Sequence, residues 1–111
     1  MTTSAFRVVV QDSFKLSTRP HGAAARSYLL EKLTEHDVVV IDFEGVDPSP
    51  SFADECVGML CKILGVETFK RRVRLVNLSD TARTIVRHVV ATRVLASQAP
   101  AFNDVRHAAT A

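Results

Sequence analysis

The chain has few of the residues that build redox, metal or base-stacking sites. Its 111 residues include two cysteines, one tyrosine and no tryptophan. Five helical residues separate Cys56 from Cys61, which places them about 140° apart around a helix axis. The pair therefore predicts neither a disulfide nor a metal clip, and two buried core thiols are the simpler interpretation. The four histidines show no metal-ligand spacing, so the sequence predicts no metal and no cofactor.

Long apolar runs and catalytic signatures are also missing. No apolar run approaches the roughly 20 residues that a membrane-spanning helix needs, and the N-terminus lacks the basic-then-apolar layout of a signal peptide. We therefore expect a cytoplasmic protein without membrane contact. The sequence contains no glycine-rich phosphate loop, no His-Glu-x-x-His and no Gly-x-Ser-x-Gly motif. These absences argue against an enzyme.

Charge is present but unevenly distributed. Residues 1–69 carry six basic and ten acidic side chains, whereas residues 70–111 carry eight basic and two acidic ones. The basic half predicts a patch that would dock an acidic partner or nucleic acid. A solvated edge that resists aggregation is the simpler alternative, since few aromatic residues accompany the arginines. The candidate patch consists of Arg71, Arg72, Arg74, Arg83 and Arg87.

The pattern of apolar residues predicts one α/β domain with the element order β-β-α-β-α-β-α. Residues 6–16 suggest a hairpin, residues 17–34 a helix, and residues 38–43 a strand buried on both faces at the centre of the sheet. A second helix should run from Ser51 to a C-cap at Gly65, followed by a strand over residues 73–76 and a last helix capped by Ser79. We expect a mixed sheet of about four strands with packed helices, a domain over residues 1–97 and a flexible tail over residues 98–111.

The loop after the central strand is the candidate recognition site. In parallel sheets the strand C-terminal ends and the helix starts share one edge, so we expect residues 47–51 and 77–79 to lie close together. Residues 17–20 would join them if the first helix starts at the same edge. Ser51 stands three residues before Asp54, the spacing of a capping box. The simplest role of Ser51 is therefore that of an N-cap, and a regulated phosphoserine is the alternative. The other residues of the candidate recognition loop are Asp47, Ser49, Phe52, Asp54 and Glu55.

Asp42 is unusual because it follows an apolar run within the central strand. We expect it at the end of the strand, where it would accept hydrogen bonds from the loop, in preference to a ligand-binding role. No nucleophile or base motif accompanies it.

Four segments together carry a resemblance to a known family: LSTRPHGAAAR (residues 16–26), VVVIDFEGV (38–46), SFADECVG (51–58) and VRLVNLS (73–79). Their combination resembles the STAS-like family of uncharacterised bacterial domains, which is related to the STAS fold of anti-sigma-factor antagonists. In those antagonists a serine at the start of the equivalent helix is phosphorylated by an ATPase-type kinase, and by position Ser51 matches it. Pro50, Asp54 and Glu55 depart from that pattern, and the two carboxylates would repel a phosphate.

The resemblance implies a regulatory protein-protein interaction module, with partner switching as its mode of action. The implied partner is a histidine-kinase-like ATPase or an anti-sigma-like regulator. Two alternatives stay open: a nucleic-acid-binding module that uses the basic half, and a small-molecule or nucleotide sensor that uses the shared edge of the sheet. The sequence does not predict an oligomeric state.

Overall fold

The computed structural model describes residues 4–15 and 17–109, and for Ser13 and residues 96–109 it describes the backbone alone. The described residues form one parallel sheet with the strand order β1-β2-β3. Its strands are β1 (Ala5–Val9), β2 (Val38–Asp42) and β3 (Val73–Val76). The apolar run that begins at Val38 is therefore the central strand, as predicted.

The sheet differs from the prediction in size and in direction. It has three strands where about four are predicted, and it is parallel where a mixed sheet is predicted. The predicted hairpin is wrong, because the chain after β1 forms a short helix, α1 (Val10–Ser13). Phe14 then packs its ring against Tyr28 and Phe52, so it reaches the core without a second strand. Leu16, the last residue of the predicted hairpin, lies outside the described residues.

Helices fill both connections between the strands. Helix α2 (Arg19–Glu35) connects β1 to β2, and α6 (Asp80–Ala109) follows β3. Between β2 and β3 lie α3 (Pro50–Ala53), a π-helical turn (Asp54–Gly58), α4 (Met59–Leu64) and α5 (Val66–Arg72). The first three of these follow one another without a break, and we call residues 50–64 the junction helix.

Most helix ends follow the signals in the sequence. Thr18 caps α2 by accepting a hydrogen bond from the backbone N–H of His21, and Ser79 accepts one from the backbone N–H of Ala82 at the start of α6. Gly65 ends the junction helix with a φ of 88°, a left-handed conformation that glycine adopts without strain. The predicted ends at Ser79 and Gly65 are confirmed, and Thr18 is the cap of the helix predicted over residues 17–34; α5 is not predicted.

One face of the sheet, which we call the core face, packs against the helices. The strand register aligns Phe6, Val39 and Val73 in one row across the sheet. The next row on the same face consists of Val8, Ile41 and Leu75. All six contact the hydrophobic core, to which α2, the junction helix and α6 contribute large buried side chains such as Leu29, Phe52 and Val86.

The topology explains why the helices share one face. The chain steps from β1 to β2 and then to β3 in the same direction across the sheet. Crossovers of one hand that step in one direction place their helices on the same face, and parallel crossovers are almost always right-handed. α2 and the junction helix therefore lie side by side, and α6 packs against the junction helix.

Helix α6 extends beyond the predicted domain end. Its apolar stripe is buried at Ala82, Val86 and Val89, but Leu95 is exposed. The backbone stays helical to Ala109, where the sequence predicts a flexible tail. The division of the chain at residue 97 stays a prediction.

Within the described residues, no helix combines the length and the apolar character that crossing a membrane requires.

Candidate functional site

The start of the junction helix is capped by Ser49, two residues earlier than expected. The side-chain oxygen of Ser49 accepts a hydrogen bond of 3.1 Å from the backbone N–H of Phe52, and Pro50 occupies the first helical position. Proline is favoured there because its missing N–H would have no helical partner. The prediction that Ser51 is the N-cap is therefore wrong, and Ser51 lies inside the first turn with a half-buried side chain.

The two carboxylates that follow connect the helices to one another. Asp54 accepts hydrogen bonds of 2.8 Å from Nε and Nη2 of Arg93 on α6, and one of 2.8 Å from Nη1 of Arg19 on α2. Glu55 accepts hydrogen bonds of 2.9 Å from Arg26 and 3.2 Å from Arg19. The predicted capping box is replaced by an ion-pair cluster that joins three helices.

The cluster holds both carboxyl groups in their ionised form. The hydrogen bond from Arg93, and then that from Arg19, lowers the pKa of Asp54 below its ordinary value. The hydrogen bond from Arg26, and then that from Arg19, lowers the pKa of Glu55. Partial burial opposes both shifts but is outweighed. Arg19 is the one arginine of the cluster that serves both carboxylates.

Two glycines let the helices approach closely enough for these pairs to form. A Cβ at Gly22 would lie 2.8 Å from the carbonyl oxygen of Phe52 and 2.9 Å from Cβ of Glu55. A Cβ at Gly58 would lie 3.1 Å from Cγ of Arg93 and 3.2 Å from the carbonyl oxygen of Val89. α2 thus contacts the backbone of the junction helix at Phe52, and α6 contacts it at Gly58.

Ser51 opens into a groove between the three helices. The groove has a volume of about 230 Å³. Arg19 lines it from α2, and His88 and Thr92 line it from α6. Asp54 lines it as well, with its carboxylate already bound by arginines. The groove is therefore an open site with two hydroxyls, a guanidinium and an imidazole in its lining.

Asp42 ends the central strand and connects all three strands. Its carboxylate accepts hydrogen bonds from Nδ2 of Asn77 and the backbone N–H of Glu44, both at 2.9 Å, and from Arg7 at 2.6 Å. The bonds from Asn77, Glu44 and Arg7, in that order, lower the pKa of Asp42. The expectation that Asp42 binds the loop at the strand end is confirmed. Asn77 reaches it from a left-handed backbone conformation with a φ of 58°.

The loops after β2 and β3 meet at this edge, as predicted. The hydroxyl of Ser79 donates a hydrogen bond of 2.6 Å to the carboxylate of Asp47. An open groove of about 460 Å³ lies between the loops and is lined by Glu44 and Asp47 without a basic side chain. An acidic lining repels phosphates, which counts against the nucleotide-sensor alternative at this edge.

The residues of the candidate recognition loop therefore have different roles. Asp47 is exposed at the edge, Ser49 is a cap, and Ser51 lines the groove. Phe52 is buried in the core, so the prediction that it belongs to an exposed recognition surface is wrong. An apolar ring at the first turn of a helix that covers a sheet is better explained by packing against Phe14.

The candidate basic patch is divided between two regions. Arg71, Arg72 and Arg74 line an open groove of about 400 Å³ beside the start of β2. Arg83 and Arg87 lie on α6, which packs chiefly on the junction helix and not on β3. Strand and helix thus do not form the single patch that the sequence predicts.

Within the first group, Arg72 has a structural role. It donates hydrogen bonds of 2.6 to 2.9 Å to the backbone carbonyls of Leu33, His36 and Asp37. These carbonyls belong to the C-terminal turn of α2 and the connection that follows, where a cation is stabilising.

The cysteines behave as core thiols. Cys56 and Cys61 are both buried and unpaired. Burial raises the pKa of Cys56 to about 12 and also raises that of Cys61, so both stay protonated near neutral pH and are poor nucleophiles. No group of histidine, cysteine and carboxylate side chains that could hold a metal ion occurs in the described part of the chain.

The arginine partners of the cluster were missed by sequence reasoning, although α2 carried a signal. Arg19, Gly22 and Arg26 follow the i, i+3, i+7 spacing of one helix face. A glycine between two arginines on one face, with two adjacent carboxylates on the next helix, indicates a close, ion-paired helix contact. Arg93 gave no comparable signal, because its position on α6 depends on how that helix docks.

Comparison with protein families identifies the class to which this fold and junction belong. A family model described as a STAS-like domain of unknown function (DUF4325) matches residues 22–83. This segment is more than half of the chain, and the chain therefore belongs to that family. The match extends from α2 to the first turn of α6, so it includes Ser51, Asp54 and Glu55 but not Arg19 or Arg93. No curated protein and no solved structure matches the chain.

Proposed function

We propose that this chain is a non-catalytic regulatory module that binds a protein partner at the edge where the strands end, and that phosphorylation of Ser51 switches this binding. The family resemblance makes a histidine-kinase-like ATPase or an anti-sigma-like regulator the expected partner. The observation that carries the proposal is the position of Ser51 in an open groove beside Arg19 and His88.

The ion-pair cluster removes the objection that Asp54 and Glu55 would repel a phosphate. Both carboxylates are neutralised by arginines, so the groove is not a field of uncompensated negative charge. A phosphate adds nearly two negative charges and three strong acceptor oxygens, and it favours arginine as a partner.

Arg19 is suited to respond to such a phosphate. Its side chain is 53% exposed, and it binds both carboxylates from the rim of the cluster. If Arg19 turned to a phosphate on Ser51, Asp54 would keep Arg93 and Glu55 would keep Arg26. The switch would therefore alter the groove without dissolving the contact between the helices.

The neighbouring edge offers a surface for the partner. Glu44 and Asp47 are exposed in the loop that leads to Ser51, and Ser79 holds that loop in place through Asp47. A partner that covers this edge would contact the acidic loop, and its binding would depend on whether Ser51 is phosphorylated. No catalytic step is needed, and the buried, protonated thiols supply no nucleophile.

The proposal is tested by affinity capture from the native cell with the wild-type chain and with Ser51→Ala and Ser51→Asp as baits. Mass spectrometry reads the captured partner and the phosphorylation state of Ser51 in the same sample. We expect one partner that Ser51→Ala captures at the wild-type level. Ser51→Asp should capture at least about tenfold less of it.

Ser27→Asp is the matched control, because Ser27 is an exposed serine on α2. It should retain the partner at the wild-type level. Combining Arg19→Met with Ser51→Asp should reduce the effect of the added charge if Arg19 is the responding side chain. Equal capture by the wild type and both Ser51 variants, with Ser51 unmodified, would rule out the switch.

A further inference from the structure

The second face of the sheet, which we call the open face, carries half-buried apolar side chains that lie outside the hydrophobic core. Val9, Val38, Val40 and Val76 point to this face, because side chains alternate along a strand and their neighbours point to the core face. Val9, Val40 and Val76 are half-buried and neither belong to the hydrophobic core cluster nor pack against it, whereas Val38 is buried. Parallel sheets are almost always covered on both faces, so an uncovered one indicates a missing partner.

Arginines flank the apolar centre of the open face. The register places Arg7 on β1 and Arg74 on β3 directly beside Val40 of β2. Both arginines are exposed. Asp42, the acidic residue on this face, is buried and already accepts a hydrogen bond from Arg7. The face is thus an apolar stripe along β2 with a cation on each side.

A groove extends the same pattern at the start of the strands. It is open, with a volume of about 400 Å³, and it is lined by Val38, one carboxylate (Asp37) and three arginines (Arg71, Arg72 and Arg74). Arg71 and Arg74 form no salt bridge with any carboxylate of the described residues. Their charge is therefore available to a partner along this end of the stripe.

We propose that the open face docks an amphipathic helix of a protein partner, with an apolar stripe laid along β2 and acidic residues on both flanks. Two strand spacings separate β1 from β3, which is about 10 Å and matches the diameter of one helix. Apolar residues of the helix would cover Val40 and the half-buried Val9 and Val76. Its carboxylates would pair with Arg74 and approach the exposed Arg7, which keeps its bond to Asp42. This surface is separate from the Ser51 groove and does not depend on its function.

Charge and composition favour this occupant over the other candidates. A second copy stacked on the same face would bring the Arg7 and Arg74 side chains of both copies together, which like-charge repulsion opposes. Nucleic acid would satisfy the arginines but would leave the four valines against a polar backbone, and the face carries no aromatic side chain for stacking.

The test uses two fluorescent peptides of about 18 residues, or five helical turns. Both carry one leucine stripe; the first has glutamate on both flanks of the stripe and the second has lysine at the same positions. Fluorescence anisotropy with the full chain should show the acidic peptide binding at least tenfold more tightly than the basic one.

Three substitutions connect binding to the open face. Arg74→Glu should weaken the acidic peptide about tenfold and strengthen the basic one, whereas Arg87→Glu on α6, which changes the net charge equally, should change neither. Val40→Glu should abolish binding. Val40→Thr, which keeps the β-branched shape, should weaken it by about threefold and serves if Val40→Glu fails to fold.

Several results overturn the proposal. Equal affinity for both peptides, binding that survives Arg74→Glu and Val40→Thr, or no binding of the acidic peptide up to about 1 mM would each reject the amphipathic acidic helix. Sedimentation as a dimer that Val40→Thr dissociates would assign the face to a second copy. Salt-sensitive binding of duplex DNA that Arg74→Glu abolishes would assign it to nucleic acid.

Discussion

The two faces of the sheet are built from the same three strands, yet they have opposite surroundings. On the core face, Val39 is buried among side chains from three helical segments. On the open face its neighbour Val40 is only half-buried and lies between two arginines. Because one-directional crossovers place their helices on one side, the second face receives no crossover helix. In a short α/β domain, the strand order alone can leave one face of the sheet free of helices.

Acidification should have the largest effect on stability, because it protonates Asp42 on the open face together with Asp54 and Glu55 on the junction helix. The pKa values of Asp42, Asp54 and Glu55 are lower in the folded chain than their ordinary values near 4. The unfolded chain therefore takes up protons first as the pH falls; the stabilisation is complete above about pH 5 and is lost progressively as the pH falls below about 4 and through the lower pKa values of the folded chain. Urea midpoints measured from pH 7 to pH 3 should fall steeply in this window, and an unchanged midpoint would contradict the ion-pair geometry.

The variant Gly22→Ala should destabilise the helix-covered side by about 3 kcal/mol, since a Cβ would lie 2.8 Å from a backbone oxygen of the junction helix. Alanine normally stabilises an open helical position by up to 1 kcal/mol, so the sign of the effect reports the close contact. Urea unfolding followed by circular dichroism measures it. Ser27→Ala, at an exposed position of the same helix, should not destabilise, and a neutral Gly22→Ala would mean that the helices lie further apart.

A pair of valine truncations compares the two faces directly. Val39→Ala should lower the free energy of unfolding by about 2.5 kcal/mol, because two buried methyl groups are removed and a cavity remains. Val40→Ala, on the open face, should cost less than about 1 kcal/mol. Thermal or urea unfolding of both variants gives the difference, and equal losses would indicate that the isolated chain covers its open face after all.

The smallest expected effect belongs to the ion-pair cluster. Asp54→Asn should cost about 1.5 kcal/mol, the usual contribution of a hydrogen bond to a partly buried charged group. Glu35→Gln is the control: Glu35 pairs with Lys32 at the surface, and losing that pair should cost less than about 0.5 kcal/mol. If both substitutions have the same effect on the urea midpoint, the cluster does not hold the helices together.

The sequence predicted the parts of the fold that local patterns determine. The central strand, the last strand, the cap at Ser79 and the glycine end at Gly65 each follow from a short motif. The hairpin failed because Phe14 is buried by tertiary packing, which an alternating pattern cannot distinguish from a strand. The cap at Ser49 was missed because two serines flank Pro50, and the spacing to Asp54 favoured the wrong one.

The site was predicted in position but not in chemistry. The meeting of the loops after β2 and β3 follows from parallel topology alone, and it is confirmed by the bond between Ser79 and Asp47. Asp54 and Glu55 were expected at the surface, yet they contact arginines from positions that are between 29 and 39 residues away. Such distant partners depend on how three helices dock, which no local pattern records.

The register of the sheet also has a consequence for how fast the chain folds. Ala5 pairs with Val38, and Val39 pairs with Val73, so every strand contact closes a loop of more than thirty residues. Loop closure costs entropy that no local contact returns, and the two loops are nearly equal in length, so neither pairing has an advantage. We therefore expect the helices to form first and the sheet to assemble around β2 in one slow, cooperative step. During that step the three strands would be exposed together and could pair with strands of other chains. Refolding at low concentration should therefore give more native chain and less aggregate.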